Sequence, residues 1–332
     1  MSNIMSRDIS QISEAQCLFC YSPDLDILGL HREFNSHIVI CNRCGLIQTS
    51  PIPSNYQLED YYHRNFRAER TDQTLNRIYL KQRATLANSQ YNFVSSSIPK
   101  NDFHRCRILE IGCSVGCLLN VFRSAGADVM GFEPDEKNAH FAIRNGLNVI
   151  QSFFNPMLIR RQSLDGVLLS HVFEHLTDPM GTLRSIFSLL KPSGFLFIEV
   201  PNESINRVLL RIEAKGTSAH LIFLTKKNLL DIVASCSFEL VKCVSWGQST
   251  TYLDHYLRNL AHLKRRRILH PNFYRSILFF CKERGGKYVR REHPDLYSNP
   301  RFLRNYDEGD SLIALRGLWI RPNHSRLGEA KQ

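Results

Sequence analysis

Short apolar runs, each closed by glycine, proline or a polar pair, recur through the middle of this chain and alternate with stretches of helical period. Ile108-Leu109-Glu110-Ile111 runs into Gly112, a second glycine follows at Gly116, and Leu118-Leu119-Asn120-Val121-Phe122 reads as helix. That order predicts a buried strand, a tight turn and a helix start. The same reading predicts strands at Val129–Pro134, Leu147–Gln151, Asp165–Ser170 and Phe195–Asn202. An amphipathic helix from about Asp178 to Leu190 is stopped by Lys191-Pro192-Ser193-Gly194. Strands alternating with helices predict an α/β fold whose parallel sheet carries helices on both faces.

The turn between Gly112 and Gly116 lets backbone approach a ligand closely, and the helix start behind it favours negative charge. The second strand ends in Glu133-Pro134. An acid at that tip sits beside the crevice of a doubly wound sheet and can accept both hydroxyls of a ribose. A nicotinamide-binding turn carries three glycines in G-x-G-x-x-G, whereas here Glu110 precedes the turn.

Leu109-Glu110-Ile111-Gly112-Cys113-Ser114-Val115-Gly116, Gly131-Phe132-Glu133-Pro134, His171-Val172-Phe173-Glu174-His175-Leu176 and Leu190-Lys191-Pro192-Ser193-Gly194 stand in order. Together they resemble a class I S-adenosylmethionine-dependent methyltransferase over roughly residues 105 to 245. The resemblance implies a Rossmann-like seven-stranded sheet closed by an antiparallel pair, expected at Glu239–Trp246 and Ser311–Ile320. It implies that Glu110 holds the cofactor's amino group and Glu133 its ribose. Gly112, Cys113, Ser114, Gly116, Pro134, Ser170 and His171 complete the expected cofactor set. Two departures stand out. Ser114 occupies a usual glycine position, and Gln151-Ser152-Phe153-Phe154-Asn155 replaces an acid that normally meets the adenine. Adenine contact would then rest on a hydroxyl, an amide, backbone, or Phe153 or Phe154.

Near the amino terminus, Cys17-Leu18-Phe19-Cys20 and Cys41-Asn42-Arg43-Cys44 form two C-x2-C pairs, the second followed by Gly45. Two such knuckles give four thiolates around one centre, so structural zinc is expected; a redox dithiol and unrelated buried cysteines are the other readings. With four protein ligands such a site is closed and has no catalytic position. About 45 residues bury too little apolar surface to fold alone, and a metal would make up the deficit. Cys106, Cys113, Cys117, Cys236, Cys243 and Cys281 show no pairing pattern. Cys113 and Cys117, at the glycine turn, read as packing groups in preference to nucleophiles. Free thiols, a polar start without a signal-peptide core and no apolar run of bilayer length lead to the expectation of a cytoplasmic protein.

These signals divide the 332-residue, 43% hydrophobic chain. The expected parts are a zinc module at 1–50, a helical linker and pocket cover at 51–100, and the cofactor-binding core at 101–251. A basic helical insertion at 252–308, a final core strand at 309–322 and a tail at 323–332 follow. In zinc-bearing relatives a tyrosine-rich segment covers the cofactor pocket; Tyr61 and Tyr62 are similar, and a plain hydrophobic staple between modules fits equally well. From 252 to 305 thirteen lysines and arginines face four acids, so most of the formal +11 lies there, interleaved with aromatics. Such a lobe suits RNA, a sugar-nucleotide diphosphate or an anionic membrane face, or is a solvated lid.

Methyl transfer to oxygen or carbon needs the acceptor aligned and deprotonated. Glu174 and His175, at the mouth of the fourth strand, suit that task, and some quinone-biosynthesis O-methyltransferases have a similar pair associated with a divalent metal. Alternatively His175 caps the next helix and Glu174 faces solvent. His220, in Ala219-His220-Leu221-Ile222-Phe223-Leu224-Thr225, is a second candidate base, with Thr225 as helix N-cap. The knuckles followed by Tyr61-Tyr62 look like deoxysugar C-methyltransferases of polysaccharide and antibiotic pathways, although a counterpart of that group's additional carboxyl-terminal domain is not expected within these 332 residues. The expected function is methyl transfer to a small or nucleotide-linked acceptor, plausibly a sugar. An RNA methyltransferase and a degenerate cofactor-fold binding module are the alternatives. Nothing in the sequence fixes oligomeric state.

Overall fold

The computed structural model describes residues 15–61, 77–98, 102–205, 208–209, 212, 219–246 and 314–323. The basic insertion, Tyr62 and Cys281 lie outside the described residues. Among the described residues, a seven-stranded sheet forms the centre. It comprises β4 (Arg107–Ile111), β5 (Asp128–Phe132), β6 (Asn148–Ile150), β7 (Leu164–Ser170), β8 (Leu190–Pro201), β10 (Glu239–Trp246) and β11 (Ala314–Ile320). Their order is β10-β11-β8-β7-β4-β5-β6. β4 through β8 pair in parallel, whereas β11 is antiparallel to both β8 and β10.

The central strands read as unbroken apolar runs because both sheet faces are covered. Ile108, Leu109, Val167, Leu168, Leu169, Leu196, Phe197 and Ile198 are all buried. α2 (Arg77–Ser97) and α3 (Cys117–Ser124) cover one face, while α5 (Pro179–Leu189) and α6 (Lys226–Ser235) pack in the core on the other. Fully buried Phe122, Phe132, Phe173, Phe197 and Trp319 anchor these layers. Each stabilises the fold by about 1.5–3 kcal/mol relative to exposure. The helices begin where side chains can satisfy the first amides. Asp135 accepts from Asn138 N at 2.9 Å for α4 (Glu136–Arg144), and Asp178 accepts from Gly181 N at 2.7 Å for α5. Thr225 accepts from Asn228 N at 3.2 Å for α6, as its sequence position predicts.

Two details differ from the pattern read in the sequence. Lys191-Pro192-Ser193-Gly194 does end α5, yet it lies inside β8 as a bulge. The β7–β8 register slips between Leu164 and Gly166, and Ser193 takes a φ of 63°. Ser193 N and Arg321 N reach across to Arg321 O and Gly194 O, so the strand continues past the proline, which has no N–H to give.

The second difference concerns the amino-terminal module, which is not a self-contained unit. β1 (Leu25–His31), β2 (Ser36–Cys41) and β3 (Ile47–Ser50) form an antiparallel sheet whose fourth strand, β9 (Ile222–Phe223), comes from beyond β8. Cys17, Cys41 and Leu46 share one apolar cluster with Ile222, Leu224 and Leu229. Tyr61, at the end of α1 (Asn55–Tyr61), packs on Phe34 at 5.3 Å between ring centres, beside Leu58, Ala219 and Leu221. It acts as the staple between module and core.

Candidate active site

The carboxyl ends of β4, β5 and β7 meet at the switch point of the sheet, where an open α/β sheet offers a crevice. A narrow cleft opens there, lined by Arg83, Gln90, Glu110, Ser114, Cys117 and Ser170 among others. Gly112 and Gly116 have φ of 68° and 76°, and Ser114 between them has φ 51°. The position therefore asks for the left-handed conformation that makes glycine usual there, and serine holds it at some cost. A side chain on Gly112 would meet Val172 Cγ2 at 2.4 Å, so the turn must pack bare against the loop after β7. The turn amides do not all point into the cleft. Gly112 N and Cys113 N donate to Phe132 O, and Ser114 N donates to Glu133 Oε2 at 2.7 Å.

Glu110 is 3% exposed, and its Oε2 accepts no hydrogen bond. Burial pushes its carboxyl up to about 8, opposed chiefly by the charge of Arg83. A cationic amine delivered to this oxygen would end both the desolvation cost and the orphaned acceptor. Glu133, at the tip of β5, is raised to about 7 by burial although Ser114 N and Asp135 N donate to its two oxygens. Each oxygen keeps a second lone pair for a hydroxyl donor. Cys113 is buried against Gly131, and burial drives its thiol far up, which suits packing and not attack on a ligand. At the adenine edge, Phe154 meets Phe132 edge-on at 5.5 Å while Phe153 is 44% exposed. Asn155 spends its side-chain oxygen on Met157 N.

Past β7 the chain turns through His171 at φ 56° into a short 3₁₀ segment, Phe173–His175. Glu174 is 2% exposed; neither carboxylate oxygen accepts a hydrogen bond, and His171 Nδ1 and His175 Nε2 stand at 3.6 and 4.0 Å. One ligand atom from each of Glu174, His175 and His220 falls within 4.8 Å of the others. The His175 and His220 rings lie 5.0 Å apart, nearly perpendicular. His175 Nδ1 lies 2.9 Å from Ala219 O, and since a carbonyl only accepts, Nδ1 carries a proton, so that in the neutral ring Nε2 presents a lone pair. The helix that follows is capped by Asp178, so neither His175 as cap nor Glu174 as solvent-facing describes this site. Both residues belong to one cluster in which Glu174 is buried and the histidines are partly exposed.

A sequence profile of the methyltransferase domain matches residues 61–243, more than half of the chain. The chain belongs to the methyltransferase domain family. Its seven-stranded sheet, parallel except for β11, is the Rossmann-like fold of the S-adenosylmethionine-dependent methyltransferases. The ubiquinone biosynthesis O-methyltransferase of Haemophilus ducreyi is 27% identical over 170 residues, 45% of this chain and 71% of that protein. That of Actinobacillus pleuropneumoniae is 31% identical over 117 residues, 32% of this chain and half of the relative. A chain in the complex of the Haloferax volcanii Trm112 methyltransferase activator with a methyltransferase shares the fold with a TM-score of 0.50 and 13% identity. That match covers 78% of this chain and 98% of the other.

Two parts of the candidate site escape a reading by motif. Arg83 and Gln90 reach the cleft from α2, and Gln90 Nε2 donates to Ser170 Oγ at 2.7 Å and to Glu199 Oε1 at 2.9 Å. Their signal is spacing: Arg83, Ala87 and Gln90 fall at i, i+4 and i+7, one helix face that mixes polar groups into a buried stripe. The other part is Glu199, fully buried on β8, which pairs with Arg316 of β11 and lies 3.3 Å from His171 Nε2. Despite burial, His171 and Arg316 hold Glu199 below the usual carboxylate range, while Glu174 and Glu199 lift His171 to about 9. Of the expected cofactor set, His171 thus sits in a charged network with Glu174 and Glu199, and Ser170 lines the cleft itself.

The four cysteines of the two knuckles also converge. Cys17 Sγ is 3.5 Å from Cys44 Sγ, Cys20 Sγ is 3.5 Å from Cys41 Sγ, and all four lie within 4.8 Å. Gly45 supplies the left-handed bend with φ 74°. Among protein groups alone, burial pushes the Cys17 thiol up to about 11, whereas at Cys41 burial is outweighed by hydrogen bonds from Cys44, Cys20 and Arg43, which lower it; a bound cation would bring Cys17 to the thiolate as well. No helix among the described residues is long and apolar enough to cross a membrane.

Proposed function

We propose that this methyltransferase transfers a methyl group from S-adenosylmethionine to an oxygen of a small-molecule acceptor. The cofactor supplies an electrophilic methyl on a sulfonium; the residues of the chain orient the two reactants and manage a proton. Glu110 takes the cofactor's ammonium and Glu133 its ribose, with Arg83 available for its carboxylate. The observation that carries the choice of oxygen is Glu174, a buried carboxylate that accepts no hydrogen bond and brings one oxygen within 4.8 Å of a nitrogen of His175 and of His220, with His171 at 3.6 Å. An oxygen acceptor must lose its proton during transfer, and the His175 Nε2 lone pair is the group aimed into that cluster. One carboxylate and two imidazoles also fit a divalent cation, which would polarise the acceptor oxygen. The ubiquinone biosynthesis relatives, O-methyltransferases by name, support oxygen as the acceptor atom and a small molecule as its carrier.

Zinc at Cys17, Cys20, Cys41 and Cys44 is part of the same reading. A zinc–sulfur bond of about 2.3 Å gives tetrahedral sulfur separations of about 3.8 Å, close to those of the cysteine pairs. So is the division into module 1–50, cover 51–100, core 101–251 with its strand at 309–322, insertion 252–308 and tail 323–332. A nucleotide-linked sugar remains within the acceptor class, and the basic insertion would then meet its diphosphate.

The test feeds methyl-labelled cofactor to purified protein with a lysate of the source cells and separates RNA, protein and small molecules. Label in a small molecule, lost with Glu174→Gln, is expected. RNase-sensitive label would overturn the acceptor class in favour of RNA, and no label with intact cofactor binding would favour a binding module.

A further inference from the structure

The acceptor cluster is held in place from outside the methyltransferase core. Its second histidine lies on the segment that runs into β9, and β9 pairs with β3 of the cysteine module, Ile47 against Phe223 and Gln48 against Ile222. At the end of β1, fully buried His31 brings Nε2 to 3.1 Å from His220 O. Because that partner is a carbonyl, Nε2 is the donor. Thr49 of β3, also fully buried, donates Oγ1 to the same oxygen at 3.3 Å and its amide to Leu221 O at 2.7 Å. Leu221 N then donates to Glu174 O at 2.8 Å. One residue back, Ala219 O takes the Nδ1 proton of His175. Every member of the Glu174–His175–His220 cluster therefore has a backbone tie to residues 219–221, and the module grips those residues at two points.

The grip continues to the metal-binding end. Gln48, between Ile47 and Thr49, accepts from Leu18 N at 2.8 Å and donates to Gln16 O at 3.0 Å, which fixes the first knuckle to β3. Asn228 of α6 donates to Cys44 O at 3.1 Å and ties the second knuckle to the core. Among the described residues the glycine turn makes no comparable contact with the module; its amides donate to Phe132, Glu133 and, within the turn, Cys113.

We propose that the cysteine module is the positioning scaffold of the acceptor half of the site. His31 and Thr49 act as positioning residues: they fix the His220 carbonyl and, through the neighbouring Ala219 carbonyl, keep His175 in the tautomer with its proton on Nδ1. The module thereby sets which His175 nitrogen faces the acceptor while leaving cofactor binding to the core. This deepens the assignment of Glu174, His175 and His220 above and rests on it.

The experiment uses full-length, metal-loaded protein with selectively ¹⁵N-labelled histidine and two probes that need no acceptor. One is the ¹⁵N imidazole spectrum, which separates Nδ1–H from Nε2–H tautomers; the other is calorimetric affinity for S-adenosylhomocysteine. In the parent protein His175, assigned by its loss in His175→Gln, is expected as the Nδ1–H form. His31→Phe keeps a ring but no donor and should turn that signal into a tautomer mixture, with cofactor affinity within threefold. His31→Gln, which restores a donor, should return it. Thr49→Val, a smaller change that guards against misfolding of the His31 variant, should produce the same mixing to a lesser degree. An unchanged His175 tautomer in folded His31→Phe and Thr49→Val would overturn the proposal. So would a loss of cofactor affinity that matches the tautomer change, since the module would then support the whole fold and not one half of the site. Failure of the acceptor assignment itself reads differently: Glu174→Gln would methylate normally while the tautomer effects of His31 persisted.

Discussion

The proposed cofactor half of the site and the proposed acceptor half touch where Gly112 packs on Val172, and they are assembled in different ways. On the cofactor side, Glu110, Gly112, Ser114 and Glu133 sit on two adjacent parallel strands and the turn between strand and helix, all within a short stretch of sequence. On the acceptor side, Glu174 and His175 follow β7, His220 precedes β9, and the residues that grip them, His31 and Thr49, lie near the amino terminus. The first is a local motif that a core of this type carries by itself. The second exists only when three distant segments are brought together. A local site can be disabled one contact at a time, whereas an assembled one fails when any of its supports moves.

Substitutions at the two halves should separate them. The largest effect is expected from Glu174→Gln, which keeps size and removes charge. Turnover should fall by about 10²- to 10⁴-fold with S-adenosylhomocysteine affinity unchanged; equal losses in both would erase the division. Next, Glu110→Ala should weaken S-adenosylhomocysteine binding by about a hundredfold, about 3 kcal/mol, as an ammonium loses its buried partner. Calorimetry measures this directly, and an unchanged affinity would remove Glu110 from the cofactor site.

A pH titration of unfolding comes third. Burial holds Glu110 at about 8 and Glu133 at about 7 against an ordinary 4.5, so the folded protein keeps protons that the unfolded chain has released. Stability of the cofactor-free protein should therefore fall as pH rises from about 4.5 through 8, because the native state binds more protons there. Cofactor, by pairing with the ionised Glu110, should flatten that decline; a parallel decline with and without it would contradict the pairing. The smallest effect belongs to Ser114→Gly. Relief of the left-handed φ outweighs the added freedom of the unfolded chain by about 0.5 kcal/mol. Thermal denaturation should show a midpoint higher by about 1–2 °C.

The same contrast explains what the chain reveals before folding. β4 to β8, the glycine turn and the closing pair β10–β11 are legible because each is an apolar run bounded by its own punctuation. Ser114 is legible as a departure, and its φ of 51° gives the reason glycine is usual there. The cysteine spacing announces four converging sulfurs. β1 to β3 are hard to read, since β1 is half exposed along its length and alternates poorly. β9 is only two residues long and becomes a strand because β3 lies beside it. His31, Thr49, Arg83 and the Glu199–Arg316 pair carry no local signal either, as their partners are far away in sequence. The bulge at Lys191–Gly194 is hidden for another reason: a proline and a glycine after a helix look like an ordinary stop until β11 pairs across them.

The family match begins at residue 61, past every strand of the cysteine module. A fragment cut at that boundary would keep the glycine turn and most of the central sheet but would uncover Leu221, Ile222, Phe223 and Leu224, all buried in the intact chain. It would also leave β9 an unpaired edge, its amides and carbonyls open to any passing strand. Apolar residues on an open strand edge are a template for intermolecular pairing. The cysteine module thus doubles as an edge guard, and a core trimmed to its family limits should self-associate when concentrated.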